Sequence, residues 1–146
     1  VEGIKKLGSE KLQINLAISL HAPFDSLRQQ LMPVAQKYPL ASLFKAADEY
    51  IRKTGRRVMF EYIMIRNIND GEDDAEALIP LMKKPLYLLN LIPYNPTGKF
   101  QASSPGRIEA FKEKLEAAGV AVTQRHSQGR GIAAACGQLA GKGKNK

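Results

Sequence analysis

The chain has 146 residues, 44% of them apolar and 25% charged, the balance of one ordinary globular domain with room for a sizeable core. No apolar run reaches membrane-spanning length, Val1 to Lys6 do not lead into a signal-peptide core, and the single cysteine, Cys136, excludes an internal disulfide framework or an all-cysteine iron–sulfur site within one copy. The net charge of +8 is uneven, because Arg125, Arg130, Lys142, Lys144 and Lys146 follow Thr123 with no acid among them, a segment suited to a polyanion.

In chain order, Ile14 to Leu20 reads as a strand. A short helix follows, with Asp25 at its N-cap and Leu27 and Leu31 on one face. Leu40 to Thr54 is a longer helix, since Leu40, Leu43, Phe44, Ala47, Tyr50 and Ile51 form one stripe and Gly55 ends it. Val58 to Ile65 is a second strand, followed by the turn-rich Asn67-Ile68-Asn69-Asp70-Gly71. Glu72 to Lys84 carries acids in its first turn and lysines in its last, with Pro80 expected to kink it. Tyr87 to Tyr94 is a third strand. Ser104-Pro105 opens a helix with a capping side chain and a proline at its first position, striped by Ile108, Phe111, Leu115 and Ala118 and stopped by Gly119. Val120 to Arg125 is the fourth strand. Residues 1–140 are expected to form one domain, and 141–146 a flexible basic tail with nothing to bury.

Strands separated by helices of this length pair in parallel through right-handed crossovers. The predicted fold is α/β, about four parallel strands with helices on one side, as an open sheet or an arc of a barrel. Side chains alternate along a strand, so Asn15, Ala17, Ser19 and His21 share the face away from the helices, and Met59, Glu61 and Ile63 are placed there too. Active sites of parallel α/β folds gather at the C-terminal strand ends. Ser19, His21, Asn95 and Cys136 all fall at such ends. Each has a structural alternative as well. His21 could cap the turn before Ala22-Pro23, Asn95-Pro96-Thr97-Gly98 could be turn chemistry, Glu61 could pair with a base, and Cys136 could be an inert thiol among small residues.

Several stretches in fixed order carry more: Ala17-Ile18-Ser19-Leu20-His21-Ala22-Pro23, Leu27-Arg28, Leu31-Met32-Pro33, Lys37-Tyr38-Pro39-Leu40, Phe60-Glu61-Tyr62, Asn69-Asp70, Asn90-Leu91-Ile92-Pro93-Tyr94-Asn95-Pro96 and Ala134-Ala135-Cys136-Gly137-Gln138-Leu139. This set resembles the radical S-adenosylmethionine methyltransferases that methylate carbon 2 of adenine in 23S rRNA and in tRNA. A close relative methylates carbon 8. The resemblance runs from about Val1 to Leu139 and implies the second half of a partial (β/α) barrel. It implies that Ser19, Leu20, His21 and Asn95 contact S-adenosylmethionine. Cys136 would be the catalytic cysteine that becomes methylated, loses a hydrogen to a 5′-deoxyadenosyl radical and passes its carbon to the adenine. The cofactors implied are S-adenosylmethionine and a [4Fe–4S] cluster held outside this chain, since the family's Cys-x-x-x-Cys-x-x-Cys motif is not present here. No metal ligand is expected within the chain. The expected partners are 23S rRNA, tRNA and an electron donor, with no membrane and a cytoplasmic monomer. By itself the chain is expected to be inactive. Gly131 departs from the family, which usually has an acidic residue there, and leaves the choice between carbon 2 and carbon 8 open. A non-catalytic basic RNA-binding α/β module, resting on the basic end, and a half-barrel for a phosphorylated metabolite, resting on Gly129-Arg130-Gly131, are the alternatives.

Overall fold

The computed structural model describes residues 1–10, 13–95 and 98–125. The order is α1 (Glu2–Leu7), β1 (Leu16–Ser19), α2 (Asp25–Leu31), a 3₁₀ turn (Pro33–Gln36), α3 (Leu40–Thr54), β2 (Val58–Met64), α4 (Glu72–Met82), β3 (Tyr87–Pro93), α5 (Pro105–Ala117) and β4 (Val122–Gln124). The four strands form one parallel sheet in the order β1-β2-β3-β4. This is the α/β arrangement that the spacing of strands and helices predicts.

Strict alternation in β2 and β3 builds the core. Val58, Phe60, Tyr62 and Met64 are buried on one face, as are Tyr87, Leu89 and Leu91, while the residues between them are half-buried. The buried face packs on Leu43, Phe44, Ala47 and Tyr50 of α3, Leu78 and Met82 of α4, and Ile108, Phe111 and Leu115 of α5. Phe60 sits between Phe44 and Tyr87, at ring-centroid distances of 5.2 and 4.8 Å. Among the described residues no helix covers the opposite face, and it is the face that holds Ser19, Met59, Glu61 and Ile63.

Several local expectations change. Asp25 is not the N-cap of α2; Phe24 is, and the Asp25 carboxylate instead accepts from the Leu40 N–H at 2.7 Å. The first free amide of α3 therefore finds its acceptor across the chain, where the preceding Pro39 has no side-chain oxygen to offer. In α2 the buried residue is Arg28, with Leu27 and Leu31 only half-buried. Helix α4 runs past Pro80 but ends at Met82, two residues before the expected Lys84, so no lysine falls in its last turn. Strands β1 and β4 are shorter than their apolar runs: β1 leaves the ladder after Ser19 although β2 continues to Met64, and β4 pairs only with Leu89 to Leu91 of a β3 that spans Tyr87–Pro93. Gly55 at φ 65° and Gly119 at φ 84° follow the ends of α3 and α5 in the left-handed region, as helix-stopping glycines should. The predicted tail 141–146 lies outside the described residues.

Candidate functional site

Parallel register aligns one polar row across the open face. Ser19 pairs with Glu61, Glu61 with Asn90, and Asn90 with Thr123. The Asn90 amide donates to the Glu61 carboxylate at 2.8 Å, and the Thr123 hydroxyl donates to the Asn90 carbonyl oxygen at 3.1 Å. Among the described residues Glu61 therefore has an amide partner and no base. The sequence gives Asn90 and Thr123 no site role of their own, although the alternation Leu89–Asn90–Leu91 places Asn90 on the face of Glu61.

One step toward the C-terminal ends, β1 stops pairing and the backbone turns. His21 adopts φ 59°, a left-handed conformation that is uncommon outside glycine. The Ile63 N–H donates to its Nδ1 at 3.2 Å, so the imidazole takes the place of a strand partner. With Nδ1 accepting, the neutral ring carries its proton on Nε2. Burial, and secondarily the Arg28 charge, lower the His21 pKa to about 4 against a weaker opposing pull from the Glu61 carbonyl, so the ring is neutral near pH 7. His21 lines a cavity of about 230 Å³ with Leu31, Ile63, Ile65, Tyr94, Lys99 and Phe100. Tyr94 and Phe100 meet edge to face at 6.0 Å. The loop bearing Lys99 and Phe100 is pinned by an antiparallel bridge from Ala102 to Ile65 and by the Arg66 N–H donating to the Gln101 carbonyl at 2.9 Å. The site thus combines an apolar and aromatic wall with a neutral donor and a cation, which suits a heteroaromatic ligand carrying polar groups.

The residues picked from the sequence occupy different layers of this rim. Ser19 is exposed on the open face and His21 lines the cavity. The Leu20 side chain is fully buried on the helix side, so only its backbone faces the rim. Asn95 is buried just past the end of β3 and is not among the residues lining the cavity. Cys136, with Gly129, Arg130 and Gly131, lies outside the described residues. Among the described residues, no group of three His, Cys, Asp or Glu side chains could hold a metal ion. The chain's one cysteine cannot supply the several thiolates of a [4Fe–4S] cluster, so its own residues do not fit that group. No helix among the described residues is long and apolar enough to cross a membrane.

No family model matches the chain. It is 49% identical over 149 residues to the probable dual-specificity RNA methyltransferase RlmN of Symbiobacterium thermophilum, covering 100% of this chain and 40% of the relative. It is 44% identical to the ribosomal RNA large subunit methyltransferase Cfr of Clostridium botulinum, covering 95% of this chain and 42% of that protein. The crystal structure of a radical SAM methyltransferase from Sphaerobacter thermophilus superposes with a TM-score of 0.90 at 44% identity, over 94% of this chain and 41% of that one. A domain of a pyruvate-formate lyase-activating enzyme from Bacteroides vulgatus, at 16% identity and a TM-score of 0.65, shares the fold. The chain thus spans about 40% of the length of the curated relatives it matches.

Proposed function

Because the chain belongs to the radical S-adenosylmethionine RNA methyltransferase family, we propose that the full-length protein methylates adenine in RNA and that this part of it holds S-adenosylmethionine at the C-terminal ends of β1 and β3. The observation that carries the reading is the left-handed His21, its Nδ1 bonded by the Ile63 N–H, lining an aromatic-walled cavity beside a polar row on the open sheet face.

When bound, S-adenosylmethionine supplies the methyl group and the hydrogen-abstracting chemistry that an unreactive ring carbon requires. The Ser19 hydroxyl, the His21 Nε2–H and the Asn95 amide hold its polar atoms, and Leu20 carries the backbone between two of them. A neutral His21 suits this task, since an imidazolium would repel the sulfonium cation. Cys136 would take the methyl group on its sulfur, give up one of its hydrogen atoms to the abstracting chemistry that the cofactor supplies, and pass the carbon to adenine, the carbon–sulfur bond then breaking with help from the rest of the full-length protein. The base must leave its stack to be reached, and the basic residues from Arg125 onward hold the flanking phosphates. The [4Fe–4S] cluster and the electron donor act with the rest of the full-length protein. We assign carbon 2 of adenine in 23S rRNA and tRNA on the resemblance of the sequence to the carbon-2 methyltransferases, and the dual-specificity name of the relative at 49% identity supports more than one RNA substrate. Carbon 8 is the second reading, supported by the resemblance to the family's carbon-8 branch and by the departure at Gly131.

The test is nucleoside mass spectrometry of 23S rRNA and tRNA from a strain in which the gene is deleted and then restored. Restoration of 2-methyladenosine in both RNAs is expected. Restoration of 8-methyladenosine alone would favour the second reading, and no change in any methyladenosine would contradict both.

A further inference from the structure

Three consecutive backbone carbonyls at the end of β1 are held by two buried side chains from different elements. Arg28, in α2, is 3% exposed and donates from Nη2 to the Ser19 carbonyl at 3.2 Å, from Nε to the Leu20 carbonyl at 3.2 Å and from Nη1 to the Tyr38 carbonyl at 2.9 Å. Asn69, in the loop after β2, is fully buried and donates from Nδ2 to the His21 carbonyl at 2.8 Å and to the Ile63 carbonyl at 2.6 Å. Its Oδ1 accepts from the Ile65 N–H at 2.7 Å, and its own carbonyl accepts from the Tyr62 hydroxyl at 2.8 Å. Only one orientation of the amide fits one donor and two acceptors, so the group is fully specified.

Both placements are costly. Among the described residues this buried guanidinium makes no ion pair to offset its desolvation; the Asp25 carboxylate, the acid that favours its charge, is itself bonded to the Leu40 N–H. A carbonyl turned out of a parallel ladder needs a donor, and a left-handed histidine persists only where its surroundings over-determine it. The two side chains meet both needs at the same three residues. Arg28 fixes the approach to His21, and Asn69 ties its exit to the end of β2.

We propose that Arg28 and Asn69 are positioning residues that together hold the Ser19–His21 strand end in its ligand-binding conformation. This rests on the reading of that strand end as part of the S-adenosylmethionine site. Neither side chain lines the cavity that His21 lines, so each acts through the backbone it holds.

The test uses the full-length protein with its cluster. Dissociation constants for S-adenosylmethionine and for a transfer RNA are measured for Asn69→Ala, Arg28→Lys, His21→Ala and the Asn69→Ala/His21→Ala pair, each checked for fold by far-UV circular dichroism. Lysine keeps the charge of Arg28 but not its fork. Asn69→Ala and Arg28→Lys are expected to weaken cofactor binding about tenfold and to leave RNA binding within about twofold. The double variant should bind cofactor about as well as His21→Ala alone, because Asn69 acts through His21. Wild-type cofactor affinity in folded Asn69→Ala and Arg28→Lys, with His21→Ala weakened, would overturn the proposal alone. Equal weakening toward cofactor and RNA, or loss of fold in both variants, would make them residues that hold the domain together and would overturn it too. Unchanged cofactor binding in His21→Ala would instead defeat the reading of the site and the positioning role with it.

Discussion

The Asn90 amide lies 2.8 Å from the Glu61 carboxylate, and this bond joins the two central strands on the face that no helix among the described residues covers. Both residues are half-buried there, so water can take over either partner's bonds. Asn90→Ala should therefore change the stability of the chain by less than about 1 kcal/mol in urea denaturation. The same change in the full-length protein should weaken S-adenosylmethionine binding, because it releases the carboxylate beside Ser19. Equal losses in stability and affinity would place the role of the row in holding the sheet.

His21 should leave a mark on acid stability. Its ordinary pKa of 6.5 falls to about 4 in the fold. Above pH 6.5 the folded and unfolded states are both neutral at this residue, and it contributes no pH dependence. As the pH falls from 6.5 toward about 4, the unfolded chain binds a proton that the folded one does not, and stability is lost, by up to ~3 kcal/mol. Below that range both states are protonated and the slope ends. Denaturation of wild type and His21→Gln across this range checks the sign. Their stability difference should shift against wild type on acidification, and a constant difference would show that the ring titrates normally.

Asp25 acts at a distance in sequence. Its carboxylate accepts the N–H of Leu40, 15 residues on, where α3 begins behind a proline. Asp25→Ala should lower stability by about 1 kcal/mol, the worth of a helix cap, while Asp25→Asn keeps the acceptor oxygen and should lose less. Thermal unfolding of the two variants separates them, and equal losses would assign the effect to charge.

Leu86 enters β3 at φ 63° with 40% of its surface exposed, so it gains little from burial and bears a left-handed backbone. Leu86→Gly should be neutral or stabilising by about 1 kcal/mol, since relief of the Cβ clash outweighs the extra freedom of the unfolded chain. A loss above about 1 kcal/mol in urea denaturation would mean that the leucine side chain packs usefully there.

Much of this architecture is legible in the residues themselves. The stripe of α3 and its stop at Gly55 are local signals, and α3 spans the predicted Leu40–Thr54. Alternation put Ser19, Met59, Glu61 and Ile63 on the open face, where they lie. Strand ends are less legible, because β1 and β4 leave the ladder while β2 and β3 run on, β1 where the backbone turns into the left-handed His21, and their apolar runs continue past those points. Helix α1, only six residues long and without a side-chain cap, gives no comparable signal. The clamp on β1 was hidden for a different reason. Arg28 reads as a surface base on a short helix and Asn69 as a turn former. Their burial is decided by carbonyls 8 and 48 residues away, at Leu20 and His21. The polar row was half legible: Glu61 stood out as a charge inside an apolar strand, whereas Asn90 and Thr123 acquire meaning only from parallel register.

The central claim is that this chain belongs to an enzyme that carries the methyl carbon on Cys136, and peptide mass spectrometry of the full-length protein tests it most directly. Protein purified from cells with active cofactor synthesis, digested and sequenced across Cys136, should show that cysteine bearing one added methyl group. The modification should disappear when the cluster cannot be assembled or when His21 is replaced by alanine. An unmodified thiol at Cys136, together with undiminished RNA methylation by Cys136→Ala, would contradict the account.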